Sequence, residues 1–175
     1  GHGELRLRRL VSADVRERPT ALVGTSKHLA VLKQYPDYED LYKYGFVHSR
    51  LRSYRRHGVA CDVFRLTNDE PYRCREFENI DITAGDWDLL DLALQGGQYE
   101  HVLVHLMDKT MWEVIQRHID RVRVTVWLHG AEIQGWQRRA FEFEGLDPDE
   151  ITRKKRLGDQ RMDFWRELLA APHPN

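Results

Sequence analysis

The chain has 175 residues, with 27 Lys plus Arg against 28 Asp plus Glu and a formal net charge of -1. That length suits one domain able to bury roughly 70% of the surface its unfolded form exposes, and the balanced charge excludes a global pull toward nucleic acid or an anionic membrane. No apolar stretch approaches the ~20 residues that span a bilayer, and the N-terminus lacks the apolar core of a signal peptide. Cys61 and Cys74 form no C-x-x-C pattern, so reduced thiols and a cytoplasmic location are expected.

Residues 1–18 read as a tag remnant, Gly1-His2-Gly3, followed by an arginine-rich polar lead-in. The short apolar run TALVG at 20–24, preceded by Pro19, is expected to be the first strand. Residues 25–44 are polar and tyrosine-rich and read as a long loop, a length that in compact domains is usually functional or disordered. Its Lys27, Lys33, Lys43, Tyr35, Tyr38, Tyr42 and Tyr44 suit a polyhydroxylated or phosphorylated ligand and equally suit a solvated loop.

From 44 to 57, Phe46, Val47, Leu51 and Tyr54 recur at helical spacing, arginines fill the other face, and Gly58 closes the segment. VACDVFRL at 59–66 predicts a strand, and 72–77 with 80–83 predict two short extended segments turning at Asn79. Asp86 is placed to cap a helix carrying Leu89, Leu90, Leu92 and Leu94, which stops at Gly96-Gly97. HVLVHL at 101–106 is the next strand, 109–119 the next helix with Met111, Trp112, Ile115 and Ile119 on its apolar stripe, and 122–128 the last strand. A short helix over 136–143 and a long one over 150–170 follow, the latter packing through Met162, Trp165, Leu168 and Leu169. Strands alternating with helices predict an α/β fold, a parallel sheet flanked by helices.

Open parallel sheets bind ligands in the crevice beyond the carboxyl ends of their strands. Here two runs end in polar chemistry. HVLVHL delivers His105 with Asp108 beyond it, and VRVTVWLHGAE delivers His129, Gly130 and Glu132. His129 precedes a glycine, whose missing Cβ lets a ligand approach the backbone; its imidazole suits hydrogen bonding to a hydroxyl or phosphate oxygen, or proton transfer. Glu132 suits either ligand hydroxyls or the cap of a following helix. An N/O metal set of His105, Asp108, His129 and Glu132 is chemically conceivable, but no H-E-x-x-H or comparable signature is present, so no metal site is assigned. Gly24-Thr25-Ser26 falls short of G-x-G-x-x-G, and neither a Walker A motif nor a G-x-S-x-G elbow occurs. The arginine runs Arg50, Arg52, Arg55, Arg56 and Arg153, Arg156 read as solvated helix faces, with peripheral lipid contact as the other option.

Three segments, LYKYGFVHSRLRSYRRHGVACDVFRL (41–66), YEHVLVHLMDKTMWEVI (99–115) and VWLHGAEIQGWQRRAF (126–141), resemble the N-terminal half of the family-four retaining GT-B glycosyltransferases. The resemblance implies that residues 19–175 are the Rossmann-like acceptor-side domain of a two-domain enzyme whose C-terminal donor domain, with its E-x7-E glutamate pair, is not in this sequence. It implies a nucleotide-sugar donor, a carbohydrate or lipid-linked acceptor at or near the inner membrane face, no cofactor, and no nucleic acid. His129 matches the histidine that reaches the donor sugar. Thr25, Ser26, Lys43, Tyr44 and Gly45 stand where the family's loop contacts acceptor and donor phosphate, and His105, Asp108, Gly130 and Glu132 line the same cleft. Two other readings remain: a stand-alone α/β binding protein or metal-assisted hydrolase using His105, Asp108, His129 and Glu132, and a structural interaction module.

Overall fold

The computed structural model describes residues 26–69 and 72–172. The predicted strand at 20–24 lies outside them, as does Thr25. Among the described residues, a mostly parallel sheet has the order β3-β4-β2-β1-β5-β6. Its strands are β1 (His28–Leu32), β2 (Asp62–Leu66), β3 (Arg73–Phe77), β4 (Ile80–Gly85), β5 (His101–His105) and β6 (Arg123–Trp127). Only β3 runs antiparallel, paired to β4 through a two-residue turn in which Glu78 and Asn79 both take positive φ, the geometry that matches strand twist in tight hairpins. The expected hairpin at Asn79 is thus present.

The expected loop over 25–44 is corrected. HLAVL, read as loop, is the central strand β1, pairing with β2 through Val31 and Phe64 and with β5 through Ala30 and Leu103. All of Leu29 to Leu32 is inaccessible to solvent. A continuous apolar run is what a parallel strand covered on both faces requires, and the short length of this one, beside the similar run TALVG, disguised it.

Side-chain alternation sends successive residues of β1 into different layers. Ala30 and Leu32 join Val63 and Ile82 beneath Val47 and Leu51 of α1 (Gly45–Arg56). Leu29 and Val31 join Phe64, Val102 and Val104 on the other face. There they meet Leu90 and Leu94 of α2 (Trp87–Gln95), Met111 and Ile115 of α3 (Lys109–Ile115), and Trp165 and Leu168 of α4 (Pro148–Ala170). Truncating one of these fully buried leucines, for example Leu90→Ala, costs about 2–5 kcal/mol. On α4 the expected Leu169 is exposed and Phe164 is buried instead, because 164, 165 and 168 fall on one helical stripe.

The helix ends follow the sequence. Asp86, Asp108 and Asp147 each accept a backbone N–H three residues on, from Leu89, Met111 and Glu150. The helix expected to reach 119 tightens into a 3-10 turn at Gln116–His118, and the expected helix over 136–143 consists of 3-10 turns. Gly158 of α4 packs closely against this segment. A Cβ there would lie 3.2 Å from that of Trp136. No helix among the described residues is long and apolar enough to cross a membrane.

Candidate functional site

Strand order places a reversal beside β1. The chain moves from β1 outward to β2 and β4, then returns past β1 to form β5 and β6, with α1 on one face and α2 and α3 on the other. Helices leaving adjacent strands toward opposite faces open a crevice at the carboxyl edge, the switch point where α/β proteins bind ligands. The ends of β1, β5 and β6 lie on that edge of the sheet, with the start of α1 nearby.

At the switch point Lys33, one residue beyond β1, pairs its ammonium with the Asp108 carboxylate that follows β5. Asp108 also caps α3 by accepting the Met111 N–H at 3.0 Å. Beside it, Tyr44 takes a left-handed conformation, φ 53°, and begins α1 without a side-chain cap. Burial, followed by the negative charges of Glu132 and Asp108, pushes the Tyr44 phenol above its ordinary range, so it stays a neutral donor. The uncapped start of α1 contributes a partial positive charge on the same side.

β5 and β6 run parallel, with His105 in register with Trp127. His105 is 0% exposed, its Nδ1 lies 3.0 Å from His129 Nε2, and its Nε2 has no hydrogen-bond partner. Burial foremost, then the nearby His129 and Arg50 charges, lower its pKa to about 4. His129 is exposed, with its ring 4.7 Å from that of Phe46, a half-exposed residue on the first turn of α1. Gly130 turns the chain at φ 97°, a conformation L side chains rarely adopt. Glu132 then folds back so that Oε1 accepts the His129 N–H at 2.6 Å. Arg50 lies over the Trp127 ring, 3.9 Å from its centroid, a cation–π contact that draws α1 onto β6.

The sequence-derived candidates therefore divide. His129, Gly130, Tyr44, Gly45 and Asp108 collect around the switch-point crevice. His105 is there too, but beneath the surface, so the expectation that it faces a ligand on an open rim is corrected: it touches His129 instead. Glu132 neither caps a helix nor faces solvent; it is buried against the backbone of His129. Ser26 is corrected outright. It lies just before β1, buried at the opposite edge of the sheet, donating through Oγ to the Ala60 carbonyl and through its N–H to Asp62. Its expected place is the loop after the first strand, and with β1 at 28–32 that loop starts at Lys33. Lys43 pairs with Asp40 on the loop leading to α1.

Lys33 is among the lysines that suit a ligand on composition, whereas Phe46, Arg50 and Trp127 are neighbours of the site with no such signal. Phe46 and Arg50 are one helical turn apart, so helical spacing carried a signal of a second, site-facing stripe on α1. The proposed metal set does not assemble: among the described residues no group of three or more His, Cys, Asp or Glu side chains converges to hold an ion. A hollow of about 550 Å³ lined by Arg52, Arg55, Arg56, Glu78 and Asn79 opens away from the crevice, beside the turn that precedes β4. Its Arg52 and Arg55 are occupied by Glu78 and the Asn79 carbonyl, which leaves a mixed-charge surface there.

These features define an α/β protein with a mostly parallel six-stranded sheet, consistent with a Rossmann-like fold, that carries polar and histidine side chains at its switch point. Comparison with protein-family models, curated proteins and solved structures returned no match.

Proposed function

We propose that this chain is the acceptor-side domain of a retaining GT-B glycosyltransferase, which binds part of a nucleotide-sugar and a carbohydrate or lipid-linked acceptor in the switch-point crevice. The single observation that carries the reading is His129: exposed, followed by a positive-φ glycine, and fixed by two separate contacts at the mouth of that crevice. A side chain immobilised at a strand end is preorganised for a ligand, because less conformational freedom is lost on binding. The three sequence blocks resembling the family supply the chemistry to attach to it, and each contributes residues at the switch point, Tyr44 and Gly45, His105 and Asp108, and His129 and Gly130.

In this reading His129 donates a hydrogen bond to a hydroxyl of the donor sugar. Tyr44 and the start of α1 meet acceptor hydroxyls or donor phosphate, and Lys33 offers a cation once the ligand competes for Asp108. In the resembled family, donor nucleotide and leaving-group charge are held by a second domain, and transfer needs both substrates positioned together.

Titration of the isotopically labelled chain with nucleotide-diphosphate sugars, followed by amide NMR, tests it. Expected are sugar-dependent shifts at Gly45, His129 and Gly130 that vanish in His129→Ala. Shifts confined to the Arg52–Arg56 surface, or none with any nucleotide-sugar, would overturn the reading.

A further inference from the structure

His105 and His129 share one hydrogen bond through Nδ1 of the first and Nε2 of the second, 3.0 Å apart. Two imidazoles can share it in two ways. In one, His129 donates; His105 must then carry its proton on Nε2, where it is buried with no acceptor. In the other, His105 donates from Nδ1 and only a bare lone pair on Nε2 goes unmatched. Orphaned buried N–H groups are rare in proteins, and the second arrangement is the one that leaves none, so it is favoured.

We infer that His105 is a positioning residue that fixes His129 as its Nδ1–H tautomer, so that His129 offers the crevice a hydrogen-bond donor. Three observations support this. His105 has no exposure through which water could satisfy its Nε2. Its pKa, lowered to about 4 chiefly by burial, keeps it neutral near pH 7, so it carries a single ring proton. The rings are held nearly parallel, with Trp127 9° from the plane of His105 and His129 24° from it, and Glu132 clamps the His129 backbone. The His129 Nδ1 has no partner among the described residues, which leaves it for a ligand.

The ligand's chemistry follows. An N–H donor at Nδ1 selects an acceptor oxygen such as a sugar hydroxyl, and does not act as a general base through that nitrogen. The sugar assignment rests on the glycosyltransferase reading; the tautomer does not.

Long-range proton–nitrogen NMR of the histidine rings in the whole chain at neutral pH tests the inference directly. Expected are protonated Nδ1 atoms on both residues and a proton-free Nε2 on His129. His105→Asn, whose side-chain amide can donate from nearly the same place as Nδ1, keeps the His129 tautomer and any nucleotide-sugar affinity within about threefold. His105→Leu mixes the tautomers and weakens affinity by about tenfold, the loss expected for one oriented hydrogen bond. An Nε2–H tautomer of His129 in the parent chain, or the same His129 spectrum in the parent and His105→Leu, would overturn the inference whatever the chain binds. The expected tautomers with no nucleotide-sugar binding would uphold the pairing and reject the glycosyltransferase reading.

Discussion

Lys33 and Asp108 meet across the ends of β1 and β5, bridging the two strands between which the sheet reverses its winding. Both side chains are near 40% exposed, at 44% and 38%, so water screens the pair and its net worth to stability is under about 1 kcal/mol. Asp108 has a second duty as the cap of α3. Asp108→Asn keeps an accepting oxygen at the cap and loses the ion pair, so its urea midpoint stays close to that of the parent. Asp108→Ala loses both and costs about 1–2 kcal/mol. Equal losses in the two variants would show that charge, and not capping, is what Asp108 contributes.

Asp62 and His105 give stability opposite dependences on pH. Burial raises the Asp62 pKa from 3.8 to about 6, against the lowering effect of hydrogen bonds from Tyr99 and Ser26. Between those values the folded chain keeps a proton that the unfolded chain releases, so stability falls as pH rises. His105 is lowered from 6.5 to about 4. Across that window the unfolded chain takes up a proton that the folded one refuses, so stability falls as pH drops.

The two windows overlap and the slopes largely cancel in the parent protein. Asp62→Asn unmasks a stability that rises from about pH 4 to 6.5, and His105→Asn one that declines from about pH 4 to 6, each by roughly 1–3 kcal/mol. Urea unfolding across that range distinguishes them. Slopes of the same sign in both variants would refute the assignment.

The parts of the fold legible in sequence were those with a strong local signal. The Asp86 cap, the Leu-rich α2 and the strands β5 and β6 fall where periodicity and capping place them. β1 did not, because its five residues look no more strand-like than TALVG. What distinguishes it is pairing on both sides, a property of the assembled sheet. That one misplacement sent Ser26 to the wrong edge. For the site, strand ends revealed His129 and Gly130, whereas the burial of His105 and its contact with His129 depend on the register of β5 with β6. Arg50 against Trp127 was equally hidden, since nothing local in an arginine-rich helix indicates which arginine lies over an indole.

Tyr35, His48 and Glu78 join the loop after β1, helix α1 and the β3–β4 turn in one chain of contacts. The Tyr35 hydroxyl is 2.7 Å from His48 Nδ1, and His48 Nε2 is 2.8 Å from Glu78, which also accepts from Arg52. Tyr35 and His48 are buried. Removing the hydroxyl in Tyr35→Phe leaves a buried ring nitrogen without its partner, at a cost of about 1–3 kcal/mol. Glu78→Gln retains a hydrogen-bonding group at an exposed position and costs less. Coupling between the two changes, measured by a double-mutant cycle, is expected to be non-zero, because His48 transmits one contact to the other. Strict additivity would show two independent contacts.

Gly130 tests whether the strand-end turn is shaped for a ligand or only for the chain. Its φ of 97° strains any L side chain, so Gly130→Ala costs on the order of 1–3 kcal/mol. A Cβ built there meets only the Gln134 amide nitrogen, at 3.7 Å. The protein itself therefore leaves space for the methyl, and the penalty is one of backbone conformation, which is independent of ligand. Should the backbone hold its course, nucleotide-sugar affinity falls by more than the stability loss explains, because the added methyl occupies the approach to His129. Calorimetric unfolding alongside an NMR titration separates the two effects. A variant that is destabilised yet binds as tightly as the parent would show that the glycine serves the turn alone.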